Sequence, residues 1–125
     1  MDIHKLSFAK INILRKDIAE VIINENIEMD AYMVEQYHDF LLTHLQAPFS
    51  LLINKINSYS YDFQAQKNIA SLNEIKAMAV VAYNQSTVIS TRSLEDVPRK
   101  TKWNMRIFND RNESLSWLIS EQENY

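Results

Sequence analysis

Ala77-Met78-Ala79-Val80-Val81-Ala82-Tyr83 is apolar at every position, and Leu51-Leu52-Ile53 opens a second such run that continues through Asn54 and Lys55 to Ile56. Runs of this length bounded by polar residues predict strands covered on both faces, as at the centre of an α/β sheet. Between them, Phe63 to Leu72 reads as a short helix capped by Ser60 or Asp62. Strand, helix and second strand then form a parallel crossover, and this unit decides the fold class.

Outward from it, the pattern stays regular. Leu6 to Leu14 alternates Ala9, Ile11 and Ile13 against Lys10 and Asn12, the period of a half-buried strand. Arg15, Lys16 and Asp17 break it, and Ile18 to Ile23 follows as a β-branched run, so an antiparallel N-terminal hairpin is predicted. Asp30 is a good N-cap for a helix reaching Leu45, with Met29 placed to staple against Val34. Met33, Tyr37, Leu41 and Leu45 share one stripe of that helix, while Glu35 and Asp39 lie away from it. Pro48 separates it from the next strand. Ser86 to Leu94 is weakly helical, given its Ser, Thr and β-branched content, and Pro98 closes it. Trp103 to Phe108 is the last strand. Asp110 and Glu113 then begin a helix in which Leu115, Leu118 and Ile119 share a face. The expectation is one α/β domain over residues 1–125: a mixed sheet of four to five strands with an N-terminal β-hairpin, flanked by about four helices.

Composition excludes more than it asserts. The chain has no cysteine, so thiol chemistry and thiolate metal sites are out. It has no glycine either, which rules out the dinucleotide fingerprint, the P-loop and the nucleophile elbow as they are normally written. A net charge of -3 gives no electrostatic footprint for nucleic acid. No apolar stretch approaches membrane-spanning length and the N-terminus does not read as a secretion signal, so a soluble cytoplasmic protein is expected.

The order of elements resembles the STAS fold, the class of bacterial anti-sigma factor antagonists, and especially its SpoIIAA-like branch related to lipid-carrying SEC14 domains. The closing stretch Met105-Arg106-Ile107-Phe108-Asn109-Asp110-Arg111-Asn112-Glu113-Ser114-Leu115-Ser116-Trp117-Leu118 is similar to the strand, acidic cap and Leu-x-Trp-Leu/Ile helix that often end SpoIIAA-like sequences. In the antagonists a serine of an Asp-Ser-Ser-Gly motif after the third strand is phosphorylated. The corresponding stretch here, Asn57-Ser58-Tyr59-Ser60-Tyr61-Asp62-Phe63, has serines but neither that motif nor its glycine. No catalytic residue carries over.

Several constellations remain. Ser58 and Ser60 sit where a phosphate would be stabilised by a helix N-terminus, although simple capping is the favoured reading of both. Tyr59, Tyr61 and Phe63 alternate beside them, and Tyr83 ends the neighbouring strand, so aromatic groups gather at the carboxyl ends of the central strands, a usual place for ligands. Core packing explains the same spacing. His38 and His44 are six apart and His4 is remote in sequence, which gives no metal-binding pair. Asp17, Glu20, Asp30, Glu35 and Asp39 show no acid/base arrangement. Arg99, Lys100, Lys102 and Arg106 beside Trp103 form a basic cluster that suits an acidic partner or a charged edge strand. The expected function is a noncatalytic protein-interaction or regulatory domain acting through Ser58, Tyr59, Ser60, Tyr61, Phe63 and Tyr83, with no cofactor and no metal. The alternative, implied by the SEC14 side of the resemblance, is a small carrier or sensor of a hydrophobic ligand such as a lipid. Homodimerisation through a sheet edge or an aromatic patch is compatible with either.

Overall fold

The computed structural model describes residues 2–124. Its elements are β1 (Asp2–Lys5), β2 (Ala9–Arg15), β3 (Ile18–Ile23), β4 (Glu28–Met29), α1 (Ala31–His44), β5 (Phe49–Asn54), β6 (Ser60–Tyr61), α2 (Phe63–Asn68), β7 (Ile75–Val81), α3 (Gln85–Glu95), β8 (Met105–Phe108) and α4 (Arg111–Gln122). Six strands form one mixed sheet in the order β1-β2-β3-β5-β7-β8, and β4 pairs with β6 in a separate two-stranded ladder.

The two apolar runs lie side by side in its middle. β5 pairs in parallel with β3 on one side and β7 on the other, with Leu52 opposite both Glu20 and Ala79. Because alternate side chains point to opposite faces, each run feeds two cores. Leu51 and Met78 join Ala19, Val21 and Ile23 beneath the α1 residues Val34, Tyr37 and Leu41. Leu52, Ala77, Ala79 and Val81 join Ile18 beneath Leu118 of α4. Met29 and Val34 are both buried in the α1 core, as a staple requires.

The sheet has more strands than the four to five expected. Asp2–Lys5 adds an antiparallel edge to β2, pairing Ile3 with Asn12 and His4 with Ile11. Its four residues carry too little apolar periodicity to be legible as a strand, and a charged sequence suits an exposed edge. The hairpin strand accordingly begins at Ala9 rather than Leu6, and the last strand begins at Met105 rather than Trp103. The helix expected to reach Leu72 stops at Asn68, because Ala70 turns to a positive φ of 57°. α3, expected to be weak, is a helix of eleven residues capped by Asn84, which accepts from Thr87 N. Its hydroxyls do not unravel it: Ser90 and Thr91 donate back to the Thr87 carbonyl within the helix.

Candidate functional site

The alternation Leu51, Ile53 continues one step past β5 and places Lys55 on the same face, toward the α1 core. The ladder still holds its backbone there, since Lys55 N donates to Val81 O at 3.1 Å. The side chain meets a cavity of about 40 Å³ whose apolar walls include Val21, Ile53, Met78 and Met105, enough space for about three water molecules or an alkyl group of that size. Lys55, Tyr59, Tyr61 and Leu94 line both this cavity and a groove of about 510 Å³ leading outward along α3, past Ser86, Ile89 and Ser90. Lys55 therefore stands at the neck between an apolar chamber and the surface.

Its partners are few. Nζ donates to Thr91 Oγ1 at 3.1 Å and lies 5.5 and 5.8 Å from the ring centres of Tyr59 and Tyr61. No carboxylate comes within ion-pairing distance among the described residues. Burial without a counter-charge disfavours the ammonium form and brings the Lys55 pKa down to about 8. Thr91 spends its own proton on the Thr87 carbonyl at 2.8 Å, so toward Lys55 it can only accept. Tyr61 donates to the Tyr59 hydroxyl at 3.4 Å, and burial raises the pKa of both phenols. Tyr37, also lining the cavity, is raised by burial as well.

The opposite face of the sheet holds the contrasting charge. Glu20, 4% exposed, accepts from Asn12 at 3.0 Å, from Asn54 at 2.9 Å, and from Arg111 Nε and Nη2 at 2.8 and 3.0 Å. Burial alone would raise its pKa, but hydrogen bonds from Arg111, Asn54 and Asn12 and the Arg111 charge outweigh it and hold Glu20 at about 2. The side-chain oxygen of Asn12, Oδ1, is buried there without a partner.

The expected surface divides between these faces. Tyr59 and Tyr61 turn inward to the cavity, while Ser58, Ser60 and Phe63 stay exposed. Tyr83 lines neither cavity nor groove; half exposed, it donates to Asn54 Oδ1 at 2.8 Å and belongs to the Glu20 network. Neither serine caps α2, because Asp62 does so by accepting from Ala65 N. Sequence reasoning missed Lys55, whose signal was its place in the Leu51, Ile53, Lys55 alternation. It also passed over the partners of Glu20, a lone charge inside the β-branched run Ile18 to Ile23.

The other constellations are structural. Arg99 donates to the carbonyls of Gln66, Leu94 and Glu95, tying the ends of α2 and α3, with its guanidinium 3.8 Å from the Trp103 ring centre. His38 Nε2 accepts from Ala70 N at 3.0 Å. His4 and His44 do approach, with ring centres 4.9 Å apart around Phe40, yet His4 Nε2 is taken by Asp2 and His44 Nδ1 by the Phe40 carbonyl. Among the described residues no group of three or more His, Asp or Glu side chains could hold a metal, and no helix is long and apolar enough to cross a membrane. In comparison with known proteins, the chain matches no family model, no curated protein and no solved structure.

Proposed function

We propose that this chain is a noncatalytic binding domain, a carrier or sensor for a small molecule that is apolar at one end and polar at the other. The observation that carries this reading is the buried, uncompensated amine of Lys55 at the mouth of an apolar cavity that opens into a surface groove. The site lies at the carboxyl end of parallel strands, where open α/β sheets usually take ligands. The chamber accepts a short alkyl end, Lys55 and the tyrosines meet the polar group, and the groove accommodates whatever follows. The resemblance to the SpoIIAA-like branch, with its lipid-carrying SEC14 relatives, supports the same reading.

Exposed apolar side chains on the two neighbouring helices, Phe63 at 69% and Ile89 at 58%, favour a second role as a protein-interaction or regulatory surface. A sensor unites the two: occupancy of the groove along α3 would alter what a protein partner meets there. On this reading the domain acts in the bacterial cytoplasm, and the edge strands β1 and β8 are where a homodimer would pair, which light scattering measures directly.

The test is to titrate straight-chain alcohols of four to eight carbons into isotope-labelled protein. Saturable shifts at the methyl groups of Val21, Met78 and Met105 are expected, together with a copurifying small molecule in native mass spectrometry of gently isolated protein. Unmoved methyl groups across the whole series would sink the binding reading. Partner capture that survives Phe63→Ser with Ile89→Ser would sink the interaction surface.

A further inference from the structure

We propose that Lys55 holds its ligand covalently, as a reversible imine with a small aliphatic aldehyde whose alkyl end occupies the cavity. This rests on the binding reading above and names the ligand class for the same site.

The geometry distinguishes Lys55 from an ordinary surface lysine. Its backbone is fixed by the β5–β7 ladder, so the amine is delivered to one place. Its environment is apolar on the cavity side and has no carboxylate to hold the ammonium form. Thr91, able only to accept, engages an N–H of the amine and leaves the nitrogen lone pair unused. A lysine desolvated in a hydrophobic pocket is a recognised way to activate an amine nucleophile. With its pKa at about 8 against the ordinary 10.5, the neutral fraction near pH 7 rises by about two orders of magnitude.

The chemistry balances without any other reactant. The Nζ lone pair attacks the carbonyl carbon and forms the N–C bond while the C=O π pair moves to oxygen. Transfer of a proton from nitrogen to oxygen gives the carbinolamine. Nitrogen then forms the C=N bond as the hydroxyl leaves, and with the second amine proton it departs as water. The products are one imine and one water, with no oxidation or reduction. A short alkyl chain is favoured because the chamber offers only about 40 Å³, and a ketone would put a second substituent at the narrow neck.

Butanal with cyanoborohydride, which reduces the imine to a stable secondary amine, tests the proposal at neutral pH. Peptide mapping should show a butyl adduct at Lys55 forming at least tens of times faster than at the exposed Lys100. Lys55→Arg should abolish this adduct while keeping the circular dichroism spectrum. If 1-butanol moves the cavity methyl groups but butanal labels Lys55 no faster than Lys100, the covalent inference is overturned and the binding reading stands. If neither ligand produces an effect, both are overturned.

Discussion

Glu20 and Lys55 sit on opposite faces of the same sheet, on or beside adjacent strands, and the pKa of each is lowered for opposite reasons. For Glu20, hydrogen-bond donors converge on the carboxylate and the charged form is favoured. For Lys55, burial acts almost alone and the charged form is disfavoured. The first arrangement satisfies the carboxylate from within the fold, tying together β2, β3, β5 and the start of α4. The second leaves an amine with one hydrogen-bond partner, Thr91, and no counter-charge among the described residues. A buried charge that the fold satisfies holds the fold together, whereas one without a counter-charge is, on the proposed reading, left for a ligand.

The largest effect that could break this contrast comes from Arg111→Met. It strands Glu20 with only its two amides and should destabilise the domain by about 2–3 kcal/mol, less than for a fully buried pair because the Arg111 side chain is 38% exposed. Urea denaturation measures it, and Glu20→Gln added to Arg111→Met should recover much of the loss. The acid limb gives the same answer without mutation. Because the folded pKa lies below the ordinary value of 4.5, Glu20 contributes its stability above pH 4.5 and loses it as pH falls toward about 2. A variant with both substitutions should be flat across that window.

Lys55→Met should act in the opposite direction. Replacing an uncompensated buried amine by an apolar chain is expected to leave stability unchanged or raise it by about 1–2 kcal/mol near pH 7, while ligand binding is lost. The pH dependence carries the sign. With the folded pKa at about 8 and the ordinary value at 10.5, the wild type binds fewer protons at this site than the unfolded chain, so it gains stability as pH rises through that interval. About 2 kcal/mol should appear between roughly pH 7.5 and 9.5, before tyrosine ionisation opposes it. Parallel denaturation curves for wild type and Lys55→Met in that range would show that Lys55 is solvated and has no special status.

How much of this was legible beforehand follows from where each signal resides. The central strands could be read because Leu51 to Ile53 and Ala77 to Ala82 advertise burial on both faces by composition alone. Helix starts were legible to within a residue, because caps such as Asp30, Asp62 and Asp110 are local in sequence. The site was half legible. Tyr59 and Tyr61 were expected together, but that they turn inward while Tyr83 joins the other face depends on strand register. Arg111 meeting Glu20 across 91 positions, and Lys55 meeting Thr91 across 36, are consequences of topology that no spacing rule encodes. Thr91 itself lay in a segment whose composition argued against a firm helix.

His38 extends the comparison to a neutral group. Burial lowers its pKa, opposed by the charge of Asp39, and its Nε2 accepts from Ala70 N, which the imidazolium could not do. Its contribution is therefore present above the ordinary value of 6.5 and is lost as pH falls below it. Thermal unfolding should show a decline in stability beginning near pH 6.5, separate from the Glu20 window below 4.5. His38→Leu should remove the decline and cost about 1 kcal/mol at neutral pH by orphaning the Ala70 amide.

The smallest expected effect concerns Ala70 itself. In a chain without glycine, two of the described residues take left-handed backbone angles, Asn26 at φ 65° and Ala70 at φ 57°. Asparagine tolerates that region, whereas alanine crowds its Cβ against the following carbonyl at a cost of about 1 kcal/mol. His38 holds the Ala70 amide and Trp103 Nε1 donates to its carbonyl at 3.3 Å, so the turn is fixed from both sides at the wall of the Lys55 cavity. Ala70→Gly should relieve the crowding and raise the denaturation midpoint by an amount worth about 0.5–1 kcal/mol, less the added entropy of the unfolded chain. Asn26→Gly, outside the cavity wall, should change stability by only a few tenths of a kcal/mol. Equal responses at the two positions would mean that the strain is not concentrated beside Lys55, and that the two faces differ in charge alone.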